Sequence, residues 1–588
     1  MRSDIKRSLF VDDTRFSITA KTLTEAQKAL QRVLNNLQKW GDKTGFNFSG
    51  TKSKVLICHR KSRINPTVSL VLNGENLPVV TEFKFLGVIL DSKLKWIPHV
   101  RMLKDKCIRK ANLLKIISGS KYKTNTKILL NIYKSLILPK LEYGSQAYHT
   151  SAPSNLLPLN SVHHMCLRVC LGAFRTTQIP SLYAESGILS LEDRRKILSM
   201  QYYVRSLKID ENTTSSNIRN TRKDKLFENQ KKIKDPFGLK VRKLLTEYEM
   251  GLPQILIHSV LPIPPWFIPK RNVCFHVNES SKKLCSTEEL RQKFLAHKHD
   301  SIMDIYTDGS KTEIGVGAGV VVYSAIHKTF HPWKQKLNKL ASIFSAELQA
   351  IKLALARIET TKNTSCTIYS DSLSVLQALN QYDPKNELLQ DVQVMIFKIS
   401  QNNTRVQFCW IPAHCGIFGN ELADKSAKSA ANSTRICLRP IIAEDMKPHI
   451  KRQVFNKCKE NWQDINTNAV RPNHLREVDA SFGGKDFSCF EKRLDEIKFT
   501  RVRLGHSRFT HKYHFSEETR GNPPYCETCR VLWTIKHAVL SCPRYYRPRF
   551  LSFEPGPLSW RQLLDRKNHT SNKRLIGFLK LADIFSEI

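Results

Sequence analysis

Apolar residues recur at two periods along this chain, and the changes between them divide it. From Leu23 to about Thr44 the positions Ala26, Ala29, Leu30, Val33, Leu37 and Trp40 fall on one face at helical spacing, which predicts a helix with one packed side. Between His99 and Ser118, Val100, Leu103, Cys107, Ala111 and Leu114 make a second such stripe, opposite a basic face of Lys104, Lys106, Arg109 and Lys110. LNSVHHMCLRVCLGAF keeps a helical pattern and lacks paired-ligand spacing, so His163, His164, Cys166 and Cys170 are expected in a helix rather than around a metal. Before the first helix, Leu9-Phe10-Val11 runs into Asp12 and Asp13 and on to Phe16-Ser17-Ile18, the pattern of a hairpin.

From Asp304 to Ala431 strand and helix patterns alternate, and each of four phrases carries a carboxylate. Asp308 follows a short strand and precedes Gly309, after which IGVGAGVVVYS reads as the next antiparallel strand. Glu347 lies near the start of a helical run whose Leu348, Ile351, Leu355 and Ile358 pack on a sheet. Asp371 ends the apolar strand CTIYS, immediately before a helix over Ser372 to Leu379. Asp424 sits in a helix downstream of the strand RVQFCWI, with His414 in the loop between. Any one phrase is weak, since Asp-Gly-Ser is foremost a turn. Together, four acids and an imidazole suit phosphodiester hydrolysis, which needs a hydroxide equivalent and neutralisation of a crowded phosphate; two Mg²⁺ ions supply both. Mg²⁺ takes oxygen ligands and keeps several waters, so carboxylates alone can hold the pair.

Composition narrows the partner. Of 588 residues, 94 are Lys or Arg against 52 Asp or Glu, a net charge of +42 spread along the chain with a pI near 9.8, which predicts a long polyanion. At 41% hydrophobic the chain can bury several cores, so a multidomain α/β protein is expected. There is no apolar span of membrane length and no secretory leader pattern, so the expected setting is soluble and intracellular, nucleus or cytoplasm, with no membrane partner. Fifteen cysteines in such a chain read as reduced thiols. Residues 211–299 shift to a basic, Pro-containing composition and read as a linker with local helices. A basic helical region, 433–588, follows the four phrases. Within it Cys526, Cys529, His537 and Cys542 offer either a tetrahedral Zn²⁺ site or unrelated reduced thiols. Tyr525, Trp533, Tyr545 and Tyr546, with Arg544, Arg547 and Arg549, could contact nucleic acid around it, and so short a segment is expected to need the metal to fold.

The order TDGS, SAEL, SDS, then PAHCGI with GNELAD resembles the type 1 ribonuclease H domain over residues 300–432. The resemblance implies a mixed five-stranded sheet with flanking helices, in which Asp308, Glu347, Asp371 and Asp424 bind two Mg²⁺, with Mn²⁺ as a substitute, and His414 assists proton transfer or product departure. FVDD, GFNFSGTKSK and KFLGVILD resemble the palm of a reverse transcriptase of the Jockey-like non-LTR retrotransposons. That implies a palm over 1–98 with Asp12 and Asp13 as its paired aspartates, and a helical thumb or connection over 99–210. Only eleven residues precede Asp12, so the polymerase site is expected to be cut short. The expected activity is endonucleolytic cleavage of the RNA strand of RNA–DNA hybrids within a retrotransposon-derived fragment. The alternatives are a non-catalytic nucleic-acid-binding remnant, or an RNA-directed DNA polymerase if an upstream half is supplied.

Overall fold

The computed structural model describes residues 5–588 apart from 60–67, 120–121, 123, 210–211, 222–223, 225–226, 228–234, 252–253, 258–263, 268–271, 275–285, 297–300, 325–326, 363, 383, 435–439, 465–472, 484–489 and 512–520. The chain divides into two compact units, Lys196–Lys457 and Met1–Arg195 with Cys458–Ile588. No helix among the described residues is long and apolar enough to cross a membrane, and the described cysteines are free thiols.

The unit Lys196–Lys457 is built on a mixed sheet. The strands of the sheet and the helices that flank it from Ile343 to Asn432 are β1 (Asn272–Cys274), β2 (Met303–Lys311), β3 (Val316–Ser324), β4 (Thr329–Leu337), α1 (Ile343–Ile358), β5 (Ser365–Ser370), α2 (Leu373–Leu379), α3 (Glu387–Gln401), β6 (Arg405–Trp410) and α4 (Phe418–Asn432). The strands lie in the order β4-β3-β2-β5-β6-β1. The β2–β3 and β3–β4 pairs are antiparallel, and β2–β5, β5–β6 and β6–β1 are parallel. Because side chains alternate along a strand, the central strands bury both faces. Ile305, Val320, Ile368 and Phe408 face α1, α2 and α3, while Tyr306, Val321, Tyr369 and Cys409 face the α4 side with Ala423.

The structure corrects two expectations here. The sheet has six strands rather than five, because Asn272–Cys274, inside the stretch read as a linker, pairs with β6. Leu290 and Phe294 of the helix Thr287–Ala296 also join the two cores of this unit. Much of 211–299 lies outside the described residues, but these parts belong to the sheet unit. Asp308, placed after its strand by pattern, stands inside β2, because the antiparallel pairing with β3 runs on to Lys311↔Val316.

In the other unit, Lys6–Phe10 and Asp13–Ser17 form an exposed hairpin, with Val11 in the left-handed region (φ 54°). The helix Leu23–Thr44 begins at a Thr22 cap and ends at Gly45 (φ 80°), and its Leu30 and Leu34 pack on Leu70, Leu72 and Leu77. The helix Ile97–Ile117 buries Val100, Leu103, Cys107, Ala111 and Leu114, and shares a core with Leu159, Cys166 and Cys170 of the helix Pro153–Leu171.

Residues from Cys458 on fold with these helices instead of forming a separate tail. They are joined by the apolar cluster of Ala184, Trp462, Leu475 and Leu504 and by a set of buried charges. In the helix Arg493–Leu504, Arg493 bonds Glu496 at 2.7 Å and the Cys170 carbonyl at 2.5 Å, while Glu496 accepts from the Thr126 amide at 3.0 Å. Arg503 bonds Glu185 and Asp479, each at 3.0 Å, and Arg566 also pairs with Glu185. Burial opposes ionisation of Glu185, but Arg503 and Arg566 hold its carboxyl down to about 2. Its folded pKa thus lies below the free value of 4.5, so its contribution is present above pH 4.5 and is lost as pH falls toward 2.

Glu185→Ala removes the buried carboxylate that Arg503 and Arg566 share, leaving Asp479 as the acid on Arg503, and is expected to cost about 3–5 kcal/mol, read from urea unfolding of the whole chain. The acid loss of stability between pH 4.5 and 2 should shrink in the variant. An unchanged unfolding midpoint and acid limb would contradict this account of the network.

Candidate functional site

Register brings the first two acids together. The parallel ladder between β2 and β5 ends at Thr307↔Ser370, so Asp308 and Asp371 are the next residues on adjacent strands, where the two chains part. Thr307 Oγ1 holds the Tyr369 carbonyl at 3.2 Å and fixes that edge. Glu347 enters from α1, whose first turn is capped by Ser342, the hydroxyl accepting from the Ser345 amide at 3.1 Å. Gly309 makes the approach possible, since a Cβ there would lie 2.4 Å from the Glu347 amide nitrogen. Asp424 rides on α4, whose backbone lies directly on β3. A Cβ at Gly317 would meet the Ala427 carbonyl oxygen at 2.4 Å, and one at Gly319 the Ala423 carbonyl oxygen at 2.3 Å.

The carboxylate oxygens of Asp308, Glu347 and Asp371 lie within 4.8 Å of one another. Such crowding of buried like charges is unfavourable, and it shows in the acidities. Burial, then Asp371 and Asp424, push Asp308 up to about 8. Burial, then Asp308 and Asp371, push Glu347 up to about 10, and its Oε2 has no hydrogen-bond partner. Burial also raises Asp371, opposed by Asn420, whose amide reaches its Oδ2 at 3.3 Å, and by His414. Trp410 Nε1 donates to the Asp371 carbonyl at 3.1 Å. Asp424 stands outside this group of three and pairs with Lys428, one turn on, at 2.7 Å. His414 is exposed in the loop before α4 with left-handed backbone (φ 56°). A buried, mutually repelling, oxygen-only donor set with an unpartnered oxygen fits hard divalent cations. Asn420 and Trp410 were not singled out by pattern, although Asn420 stands in the GNELAD phrase one turn before Asp424.

A second group of possible ligands is Cys526, Cys529, His537 and Cys542, also mutually within 4.8 Å. Cys542 Sγ lies 3.7 Å from Cys526 Sγ and 4.0 Å from Cys529 Sγ. A tight turn with Arg530 at φ 56° closes on a Cys526 amide to Val531 carbonyl bond of 2.8 Å, and Thr534 caps the short helix carrying His537. His537 Nε2 is buried with no hydrogen-bond partner. Three thiols and an imidazole at this separation fit a tetrahedral zinc ion. Of the aromatics around it, Trp533 and Tyr545 are core residues, and Arg549 donates to backbone carbonyls. The core of this region draws on Trp560, Leu564, Leu575 and Phe578, so the segment around the four ligands is not a folding unit of its own. Asp12 and Asp13 stand in the exposed hairpin and belong to neither group.

The model of the RNase H family matches residues 300–432, the span that holds the four acids. This stretch is a ribonuclease H domain. The chain is also similar to the RNA-directed DNA polymerase from mobile element jockey of Drosophila melanogaster, 25% identical over 202 residues, 34% of this chain and 22% of that protein. It resembles the retrovirus-related Pol polyprotein from type-1 retrotransposable element R1 of Bradysia coprophila, 21% identical over 195 residues, 32% of this chain and 19% of the relative. With the Pol polyprotein of equine infectious anemia virus it shares 31% identity over 138 residues, 23% and 11% of the two chains. The chain spans about a fifth of the length of the jockey and R1 relatives. The ribonuclease H domain thus follows part of a reverse transcriptase of the Jockey and R1 kind.

Because α1 of the ribonuclease H domain rests on the bare backbone of Gly309, Gly309→Ala is expected to destabilise the protein by about 1–3 kcal/mol or more, read from denaturant unfolding. A wild-type midpoint would show that the helix can move without loss.

Proposed function

We propose that the ribonuclease H domain hydrolyses the RNA strand of RNA–DNA hybrids by a two-metal mechanism, in a piece of a retroelement polyprotein. The observation that supports this best is the convergence of Asp308, Glu347 and Asp371 within 4.8 Å, with acidities that a divalent cation would relieve. Asp308, Glu347, Asp371 and Asp424 would hold two Mg²⁺, or Mn²⁺ in their place, which supply charge neutralisation of the phosphate and activation of water. Asp308 and Asp371 anchor the site from adjacent strands. Asn420 donates to the Asp371 carboxylate, and Lys428 pairs with Asp424. His414, on its exposed loop, would assist proton transfer or product departure. The net charge of +42 supplies affinity for the hybrid through phosphate contacts, which weaken as salt rises.

The second element of the reading is a structural zinc ion held by Cys526, Cys529, His537 and Cys542, carried by the same ligand geometry and the unpartnered His537 nitrogen.

Asp308→Asn and Asp371→Asn are expected to abolish cleavage of a labelled hybrid while hybrid affinity stays within a few-fold, since each removes a charge from the cage and none from the phosphate contacts. His414→Ala should slow turnover and keep Mg²⁺ binding. Near wild-type cleavage by either Asn variant would refute the site assignment.

For the zinc site, elemental analysis of the full chain should find one equivalent, and Cys542→Ser should lose it and lower the melting temperature. Metal-free protein with unchanged melting would remove zinc from the account.

A further inference from the structure

The surface of the Cys526–Cys542 region carries features that metal binding leaves unused. Its core takes Trp533 and Tyr545, with Ile535, Ala538 and Val539. The next helix, Tyr546–Ser552, buries none of its residues. Tyr546 and Phe550, one turn apart, are 67% and 66% exposed, with rings inclined by only 20° and centroids 6.4 Å apart. Leaving two large rings in water costs apolar burial that this short helix does not recover elsewhere.

A seven-residue helix frays when isolated, so the rings could be expected to move independently of the module. Arg549 prevents this. Its guanidinium donates to the carbonyls of Val539 at 2.7 Å, Ala538 at 3.1 Å and Cys542 at 2.8 Å, pinning the helix to the ligand-bearing segment. The neighbouring arginines are not used in this way. Arg547 is exposed, and Arg544, 61% exposed, lies 3.8 Å from the exposed Glu527 and 5.9 Å from the centroid of the Tyr545 ring. Between Tyr525 and Phe550, Glu527 is the single acid among five basic residues, Arg530, Lys536, Arg544, Arg547 and Arg549.

Rigidly presented rings accept bases of any sequence on their faces, and guanidinium groups beside them take the phosphates. A duplex hides its base faces, so such a surface selects unpaired nucleotides. A lipid surface fits less well, because interfacial helices bind through a broad continuous apolar face, whereas YRPRFLS is short and interrupted by two arginines and a proline. We propose that the Tyr546–Phe550 face, with Arg544 and Arg547, is a stacking platform for unpaired nucleotides of an RNA or DNA strand, separate from the nuclease site.

The test uses the full chain with oligouridylate and oligothymidylate, each carrying one 2-aminopurine, beside a duplex and anionic phosphatidylserine vesicles. Wild-type protein should quench the fluorescent base on both strands, or on one in preference, which would identify the source. The double variant Tyr546→Ala/Phe550→Ala should weaken single-strand binding by about tenfold or more and abolish the quench. Its hybrid cleavage and melting temperature should stay unchanged. Tyr546→Leu/Phe550→Leu, which keeps apolar bulk without stacking, should lose the quench as well. Arg544→Gln/Arg547→Gln should keep the quench and lower the salt slope by about 1.4, the contribution of two phosphate contacts on a single strand. Single-strand affinity within twofold of wild type in both ring variants would overturn the proposal, as would a loss confined to duplex or vesicle binding.

Discussion

Backbone-to-backbone packing at three glycines is the constraint on which the nuclease unit depends. Gly317 and Gly319 let α4 lie on β3 with no side chain between, and Gly309 lets the Glu347 turn of α1 close over β2. Thermodynamics alone would keep four acids apart, because each raises the cost of ionising its neighbours. The sheet and its two helices are therefore a frame that holds an unfavourable charge arrangement in place. Its rigidity comes from buried apolar faces on both sides, Ile351 and Leu355 on one and Ala423 and Ala427 on the other.

How much of this the sequence discloses depends on the kind of interaction. The carboxylates are legible because each ends or flanks a periodic apolar run, so strand and helix spacing carries the acid to a place beside the sheet. The glycines of IGVGAGVVVYS are visible as letters, but their use is not. Nothing local says that the alanines of ADKSAKSAA, about a hundred residues on, will sit against them. β1 escapes because three residues are too few to show alternation, and it is strand-like only through its partner β6. Asn420 escapes because an Asn ahead of an acid reads as cap or turn chemistry until its amide is seen to reach Asp371.

The other unit shows the opposite failure of periodicity. The helix Arg493–Leu504 lies in the region that reads as basic and helical, yet Arg493, Glu496, Lys498 and Arg503 are all buried. Charge in a sequence is neutral evidence about burial until the counter-charge is found. For Arg503 the counter-charges, Glu185 and Asp479, lie far along the chain or before the helix start, whereas Arg493 meets Glu496 within the helix. Buried ion pairs add little net stability over apolar packing, but they penalise any arrangement that omits a partner. They therefore specify which segments meet more than how strongly they hold.

That pairing has a consequence in time. Glu185 and Arg503 are separated by 318 residues, and the whole ribonuclease H domain lies between them. At synthesis rates of about 5–20 residues per second, Glu185 waits roughly 15–60 s for its first arginine, longer for Arg566. By the end of that interval the nuclease unit has been made in full and can close its own cores, whereas until then the first unit holds an acid whose burial would be uncompensated. The chain thus has a built-in order of birth, in which the nuclease domain is made before the segment that carries the partners of Glu185.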